Sequence, residues 1–430
     1  MRQDFVSPLA EADPEVAEAI QGELHRQQDQ IELIASENLV SRAVLEAQGS
    51  ILTNKTVEGL PGRRYYGGAE FADKIETLAI ERAKRLFGCG FANVQPHSGS
   101  QANQAVYLAL LKPGEAILSM RTTAGGHLSH GHPANQSAKT YAIHSYGVSE
   151  KDERIDCGEV AALARRHKPR LLIAGGSAYP RHIDFARLRA IADEAGALFM
   201  VDMAHVAGLV AAGLHPHPFP YAHVVTTTTY KSLRGARGGI VLTNDAALAK
   251  KIDSAVFPGV QGSVLLQGVA GKAVCLGEAL KPEFARYQRA ALENAGAMAG
   301  AVAASGLRLV SGGTDVTLML VDLSAKGIGG QRASESLEAA GLTVNKNVIP
   351  NDRRPATDPS GLRLSSNAGT ARGFGAAEFR QIGRWIGEVL DGLARQANDN
   401  AETERRVRAQ VSALCRRFPI YPGGRHPQTP

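Results

Sequence analysis

A lysine at the end of an apolar strand can hold an aldehyde as an imine, and this sequence offers one. Lys231 closes the run Val224-Val225-Thr226-Thr227-Thr228-Thr229-Tyr230 and faces a loop of small and basic residues, 232–239. Strand ends are where α/β enzymes gather ligands. Taken singly, a lysine there is more often a solvated charge. Upstream, Leu198-Phe199-Met200-Val201 ends in Asp202, with His205 three residues on. A carboxylate buried at a strand end needs a cation, and the ring nitrogen of pyridoxal phosphate is one; capping a helix is its plainer use. Further upstream, Gln95-Pro96-His97-Ser98-Gly99-Ser100 opens a helix with two hydroxyls and a glycine. That is the composition of a phosphate cradle, in which backbone N–H groups and the helix dipole meet a dianion. Alone, Ser98 serves equally well as a simple cap. Amine, carboxylate and cradle form one coherent set, and they point to pyridoxal phosphate, whose ring stores the electrons left when a bond to Cα breaks.

Elements must carry these residues. Val16, Ala17, Ile20 and Leu24 give an amphipathic helix over 13–30, followed by a polar, glycine-rich stretch over 36–70. Helical patterns at 75–87, 101–111, 160–166 and 185–195 then alternate with apolar runs at 115–119, 170–174, 198–202, 224–229 and 239–242. Such alternation predicts crossover units and a mostly parallel sheet. Beyond Pro282 a long helix, 283–304, precedes strand 317–323, helix 331–340, strand 361–364 and helix 376–393, the texture of a smaller α+β domain. The expected division is an N-terminal arm (1–35), a large domain (36–290), a small C-terminal domain (291–422) and a tail (423–430). The polar run 396–404 reads as a linker or helix start, and the tail as frayed.

Composition bounds the rest. With 44% hydrophobic and 21% charged residues among 430, a disordered chain is excluded. Lys+Arg 48 against Asp+Glu 42 leaves +6, a weak hint of a polyanionic partner. No apolar run reaches the roughly 18 residues of a membrane span. Arg2, Asp4 and Glu11 stand where a signal peptide needs an apolar stretch. Cys89, Cys157, Cys275 and Cys415 are scattered and form no CxxC, so free thiols in a reducing cytoplasm are expected and no metal site.

Nine stretches carry a family likeness: IELIASEN (31–38), EGLPGRRYYGG (58–68), 93–103, GGHLSHG (125–131), AGGSAYPR (174–181), VDMAHVAGLVAAG (201–213), 226–239, SGGTD (311–315) and TVNKNVIP (343–350). Over nearly its whole length the chain resembles serine hydroxymethyltransferase, a fold-type I pyridoxal-phosphate enzyme. The resemblance implies an α/β fold: a large domain with a mostly parallel seven-stranded sheet between helices, plus a smaller α+β C-terminal domain. It implies that Lys231 forms the Schiff base, that Asp202 pairs with the pyridinium nitrogen and that His127 stacks on the ring. Ser98, Gly99 and Ser100 would hold the phosphate, Ser177 and His205 would lie near the phenolic oxygen, and Thr228 and Tyr230 would flank the lysine. Arg363 would clamp the substrate carboxylate, as suits its planar fork, with help from Ser36. Glu58, Tyr65 and Tyr66 belong to a loop that in this family crosses into the neighbouring subunit's site, which implies an obligate homodimer with shared active sites. Glu58 and Tyr66 would serve the chemistry, and Glu58, Tyr65, Leu128 and Asn347 would surround tetrahydrofolate as co-substrate. Gly262 would present backbone to the partner's phosphate.

Departures from the family pattern cluster around the cofactor. Thr56 stands where a tyrosine is usual, and Tyr230 where a histidine precedes the lysine. Gly262-Ser263-Val264 replaces Gly-Gly-Pro, Ser365-Ser366-Asn367 replaces Gly-Thr-Pro, Val316-Thr317 replaces a polar-His pair, and Arg121-Thr122-Thr123-Ala124 occupies the place of an apolar pterin contact. Thr56 frees volume beside Cα, and Tyr230 is expected to refill part of it or to replace the hydrogen bond of the lost tyrosine. A pocket enlarged there admits a quaternary carbon, and the chain therefore resembles most the 2-methylserine hydroxymethyltransferase branch. The implied reaction releases D-alanine from 2-methylserine and passes the one-carbon unit to tetrahydrofolate, reversibly. Ordinary serine/glycine exchange, a folate-independent aldolase acting on α-methylserine or β-hydroxy amino acids, and a threonine transaldolase are the alternatives within this chemistry. An RNA-binding relative that lost catalysis is the alternative outside it. Intact Lys231, Asp202, His127 and Arg363 argue against that last reading, so neither nucleic acid nor membrane is an expected partner.

Overall fold

A computed structural model describes residues 6–395 and 399–422. The tail at 423–430 and the start of the polar run, 396–398, lie outside the described residues.

Seven strands form the main sheet: β1 (Phe91–Asn93), β2 (Ala116–Met120), β3 (Ala142–Tyr146), β4 (Leu171–Ala174), β5 (Leu198–Asp202), β6 (Val224–Thr228) and β7 (Gly239–Thr243). Their order is β1-β7-β6-β5-β4-β2-β3, with β7 antiparallel to both its neighbours and the remaining pairs parallel. Period two explains the layering. Leu172, Phe199, Val201 and Ile240 fill one core while Ile117, Leu171, Ile173, Met200 and Val241 fill the other. β1 and β3 have no counterpart in the apolar runs of the sequence. β1 has only three residues, and β3, Ala-Ile-His-Ser-Tyr, is a half-polar edge strand.

Four antiparallel strands make a second sheet, β8 (Arg308–Leu309), β9 (Leu318–Asp322), β10 (Asn345–Asn347) and β11 (Gly361–Ser365), ordered β8-β9-β11-β10. Its core holds Phe379, Ile382, Trp385, Ile386 and Val389 from one face of a helix, Ala376–Arg395. The helix Pro282–Ala304 joins the two bodies: Phe284 and Tyr287 pack in the first core, Ala295, Met298 and Val302 in the second. Ile31 and Leu33 of the arm also belong to the second core, and Ile31 pairs with Leu342 in a short parallel ladder. Beyond residue 399 the polar run becomes a helix, Ala401–Arg417.

The two ends of the chain are tied together. Gln28 on the helix Pro14–Asp29 exchanges side-chain bonds with the backbone of Ile420, and the Tyr421 hydroxyl donates to Val40 O at 2.9 Å. Arg372 donates to the carbonyls of Gln27 (2.8 Å), Gln30 (3.0 Å) and Phe418 (2.8 Å).

Candidate active site

The C-terminal ends of β5 and β6 lie side by side, with Asp202 in register with Thr226. Lys231 follows at the mouth of the loop that turns β6 back into β7, and its carbonyl accepts Asn38 Nδ2 at 2.9 Å. The same amide donates to the Tyr287 hydroxyl at 2.9 Å. A cavity opens there, lined by Ser98, Gly99, Ser100, His127, Ser177, Asp202, His205, Thr228, Tyr230 and Lys231 among others. Ten of the expected site residues thus converge on one space.

Lys231 is 5% exposed, and its Nζ lies 3.0 Å from His205 Nε2. Burial lowers the lysine to about 8, with Arg363 and Arg237 pushing the same way and Asp202 opposing them. Burial and the charge of Lys231 hold His205 well below its ordinary value, so its ring is neutral. Nζ therefore donates to His205 Nε2.

Burial alone would raise the Asp202 carboxyl. The hydrogen bond and charge of His130, with the Asn103 amide, instead hold it well below the ordinary range. Oδ2 accepts from His130 Nε2 at 2.9 Å and from Asn103 Nδ2 at 3.0 Å, and Oδ1 from Ala204 N at 3.1 Å. A carboxylate only accepts, so His130 carries its proton on Nε2, and its buried Nδ1 has no partner. Asn103 is fixed in turn by Thr226 Oγ1, which donates to its Oδ1 at 2.7 Å. His127 Nδ1 accepts from Ser129 N at 3.1 Å, and burial with neighbouring His130 lowers the ring to about 4, so it is a neutral, flat surface.

At the cradle, Ser98 caps the helix Gly99–Leu110, its Oγ accepting Gln101 N at 3.1 Å. The plain cap leaves room for an anion site, because a capped N-terminus still points backbone N–H groups outward. Gly99 sits where any side chain would intrude: a Cβ would stand 2.6 Å from Thr228 Cγ2. Thr228 Oγ1 is buried without a partner beside it. Amine, fixed carboxylate, flat neutral ring and small-residue helix start fit pyridoxal phosphate.

Other expected residues stand apart. Arg363 reaches the rim, donating from one terminal nitrogen to Ser177 O at 2.7 Å and from Nε to Asn345 Oδ1 at 3.1 Å; burial lowers it to about 10. Ser36 is half-buried on the segment that ends at Asn38 and does not line the cavity. Thr56, Tyr65 and Tyr66 are exposed, the tyrosines at 73% and 50%, with the Tyr65 ring edge-on to Phe257 at 5.5 Å. Glu58 lies next to Gly262, away from the cavity. Leu128 is exposed, and Asn347 donates to Val348 O at 2.7 Å on β10. Within one protomer, then, Tyr230 lines the cavity and Thr56 does not.

The sequence reading missed Asn103, His130 and Asn38. Each lay inside a quoted motif, but an amide or imidazole that holds another side chain carries no periodic signal. Among the described residues no group of three or more His, Cys, Asp or Glu is placed to hold a metal ion, and no helix is long and apolar enough to cross a membrane.

Residues 9–386 match the family model described as serine hydroxymethyltransferase. The chain is 62% identical over 418 residues to the serine hydroxymethyltransferase of Rhodospirillum centenum, covering 97% of each protein. It is 61% identical over 417 residues to that of Paramagnetospirillum magneticum, covering 97% of this chain and 98% of the other. Identity to serine hydroxymethyltransferase 2 of Rhodospirillum rubrum is 61% over 419 residues, 97% of each.

Proposed function

The chain belongs to the serine hydroxymethyltransferase family, and on that premise we propose that it exchanges a hydroxymethyl group between serine and tetrahydrofolate, with glycine as the other product. It is a hydroxymethyltransferase, and enzymes of this family use pyridoxal phosphate and tetrahydrofolate. The relatives are named for serine, which favours ordinary exchange over the 2-methylserine reaction that the departures suggested.

The observation that carries this reading is a deprotonatable amine, Lys231, and a carboxyl held well below its ordinary range, Asp202, lining one cavity together with the Ser98-Gly99-Ser100 helix start. Bound there, pyridoxal phosphate supplies an electron sink for the bond broken at Cα. Ser98, Gly99 and Ser100 would hold its phosphate, Asp202 would keep its ring nitrogen protonated and His127 would cover its face. Lys231 supplies the amine for its aldehyde, with His205 and Ser177 beside the phenolic oxygen and Thr228 and Tyr230 flanking the lysine. Arg363 would orient the amino acid by its carboxylate, with Ser36 assisting. Glu58, Tyr65, Tyr66 and Gly262, remote from the cavity of their own chain, suit a homodimer in which they complete the partner's site. There Glu58 and Tyr66 would handle protons, and Glu58 and Tyr65, with Leu128 and Asn347, would surround tetrahydrofolate. A cytoplasmic location fits the scattered free thiols.

A second reading, 2-methylserine with D-alanine as product, is favoured by Thr56 and by Tyr230, whose ring lies in the cavity under the Arg237 guanidinium at 4.5 Å. One measurement separates the readings: Cα-proton exchange of glycine and of D-alanine, with and without tetrahydrofolate. Faster exchange of glycine supports the main reading, and faster exchange of D-alanine overturns it. Indifference to folate would favour the aldolase.

A further inference from the structure

Between β1 and the helix that begins at Gly99 the backbone is irregular, and Val94, Gln95 and Pro96 are buried. Carbonyls in such a stretch need donors from elsewhere. Gln95 O takes Gln261 Nε2 at 2.9 Å, and Pro96 O takes Gly239 N at 2.9 Å. A buried cation completes the set. Lys272, 2% exposed on the helix Leu266–Ala279, places Nζ 2.6 Å from Val94 O, 2.8 Å from Pro96 O and 3.1 Å from Gly239 O. Three N–H bonds onto three carbonyls use every donor of an ammonium group. Gly238 lets the side chain through, because a Cβ there would collide with Lys272 Cε.

Burial draws Lys272 down to about 7, opposed by the charge of Glu76, so keeping a proton there is costly. Fold stability alone gives little reason for such a group, since apolar packing usually does as well. Its location gives a reason: the carbonyls it gathers stand two and four residues before Ser98 and at the start of β7. We propose that Lys272 is a positioning residue for the phosphate cradle, fixing the backbone that enters Ser98-Gly99-Ser100 and adding a buried positive charge behind it. This inference rests on the pyridoxal-phosphate reading.

The test titrates the full-length protein, freed of cofactor, with pyridoxal phosphate and with pyridoxal, which lacks the phosphate. Lys272→Met removes the donors at similar volume. It is expected to weaken pyridoxal phosphate at least tenfold and to leave pyridoxal within twofold. Equal losses for both ligands would indicate general damage and overturn the proposal, as would unchanged affinity for both. Should that variant not fold, Lys272→Gln, which keeps two donors without the charge, is titrated the same way; the same selective loss is expected, and equal losses or none overturn the proposal again. Lys281→Ala, on the exposed start of the next helix, is the control and should bind both ligands as the native chain does. If the native protein binds pyridoxal phosphate no better than pyridoxal, the cradle assignment itself falls and this inference with it.

Discussion

Lys231 Nζ and His205 Nε2 face each other across 3.0 Å, and only a neutral imidazole can accept from the amine there. Burial, with Arg363 and Arg237 pushing the same way, lowers the amine at this contact before any cofactor arrives. Because Lys231 is lowered to about 8, uptake of pyridoxal phosphate by the cofactor-free protein should accelerate as pH rises through 8 and level off above it. Stopped-flow absorbance across pH 6 to 10 follows this directly; a midpoint near the ordinary lysine value of 10.5 would refute it. Stability is linked to the same proton. Between about 8 and 10.5 the unfolded chain still holds a proton that the folded chain has released, so the cofactor-free protein should gain stability with rising pH in that window. Lys231→Met should make that slope shallower in denaturant melts, the part that remains coming from Lys272, which burial lowers to about 7.

Asp202 accepts from Asn103, His130 and the backbone of Ala204, and a neutral amide cannot accept all three while supplying a negative charge. Asp202→Asn should lower kcat/KM by roughly 10²- to 10³-fold, the scale seen when one preorganised electrostatic group is removed. The cofactor's visible band should remain, since Lys231 and the cradle are untouched. Native-like turnover by a pigmented Asp202→Asn protein would remove this residue from the mechanism.

Two nitrogens of Arg363 are tied, to Ser177 O and to Asn345 Oδ1, and these ties aim the guanidinium. Lysine keeps the charge but cannot make both ties and a planar two-point grip. Arg363→Lys is expected to raise KM for serine by tenfold or more, about 1.5–3 kcal/mol for a lost charged hydrogen bond, with a smaller change in kcat. Asn345→Ala should shift KM in the same direction by less. Steady-state kinetics with serine decides, and an unchanged KM in Arg363→Lys refutes the clamp.

Gly99→Ala would drive a methyl group against Thr228 Cγ2 at 2.6 Å. Overpacking of that kind costs about 1–3 kcal/mol. Melting temperature and cofactor retention should both fall, and Thr228→Ser, which deletes the opposing methyl, should recover part of each loss. A double variant no better than Gly99→Ala alone would show that the strain lies elsewhere.

The centre of this molecule was legible in the sequence because its central strands are buried on both faces. Residues 171–174 and 224–228 read as unbroken apolar or β-branched runs, and the chemistry follows directly at their ends. The edges were not legible: β1 is too short and β3 too polar to show a period. The helix Leu266–Ala279, rich in glycine and alanine and buried along most of its length, has almost no polar face to mark it. In the site, most of the residues that line the cavity were legible through strand-end placement and family likeness. His130, Asn103 and Asn38 escaped because they act on Asp202 and Lys231 rather than on a ligand.

The tie between Gln28 and Ile420, with Tyr421 on Val40, means that a cut before residue 419 would be felt far from where it is made. Every side chain proposed for chemistry would remain, yet the segment leading out of Asn38, which fastens Lys231, would lose one of its anchors.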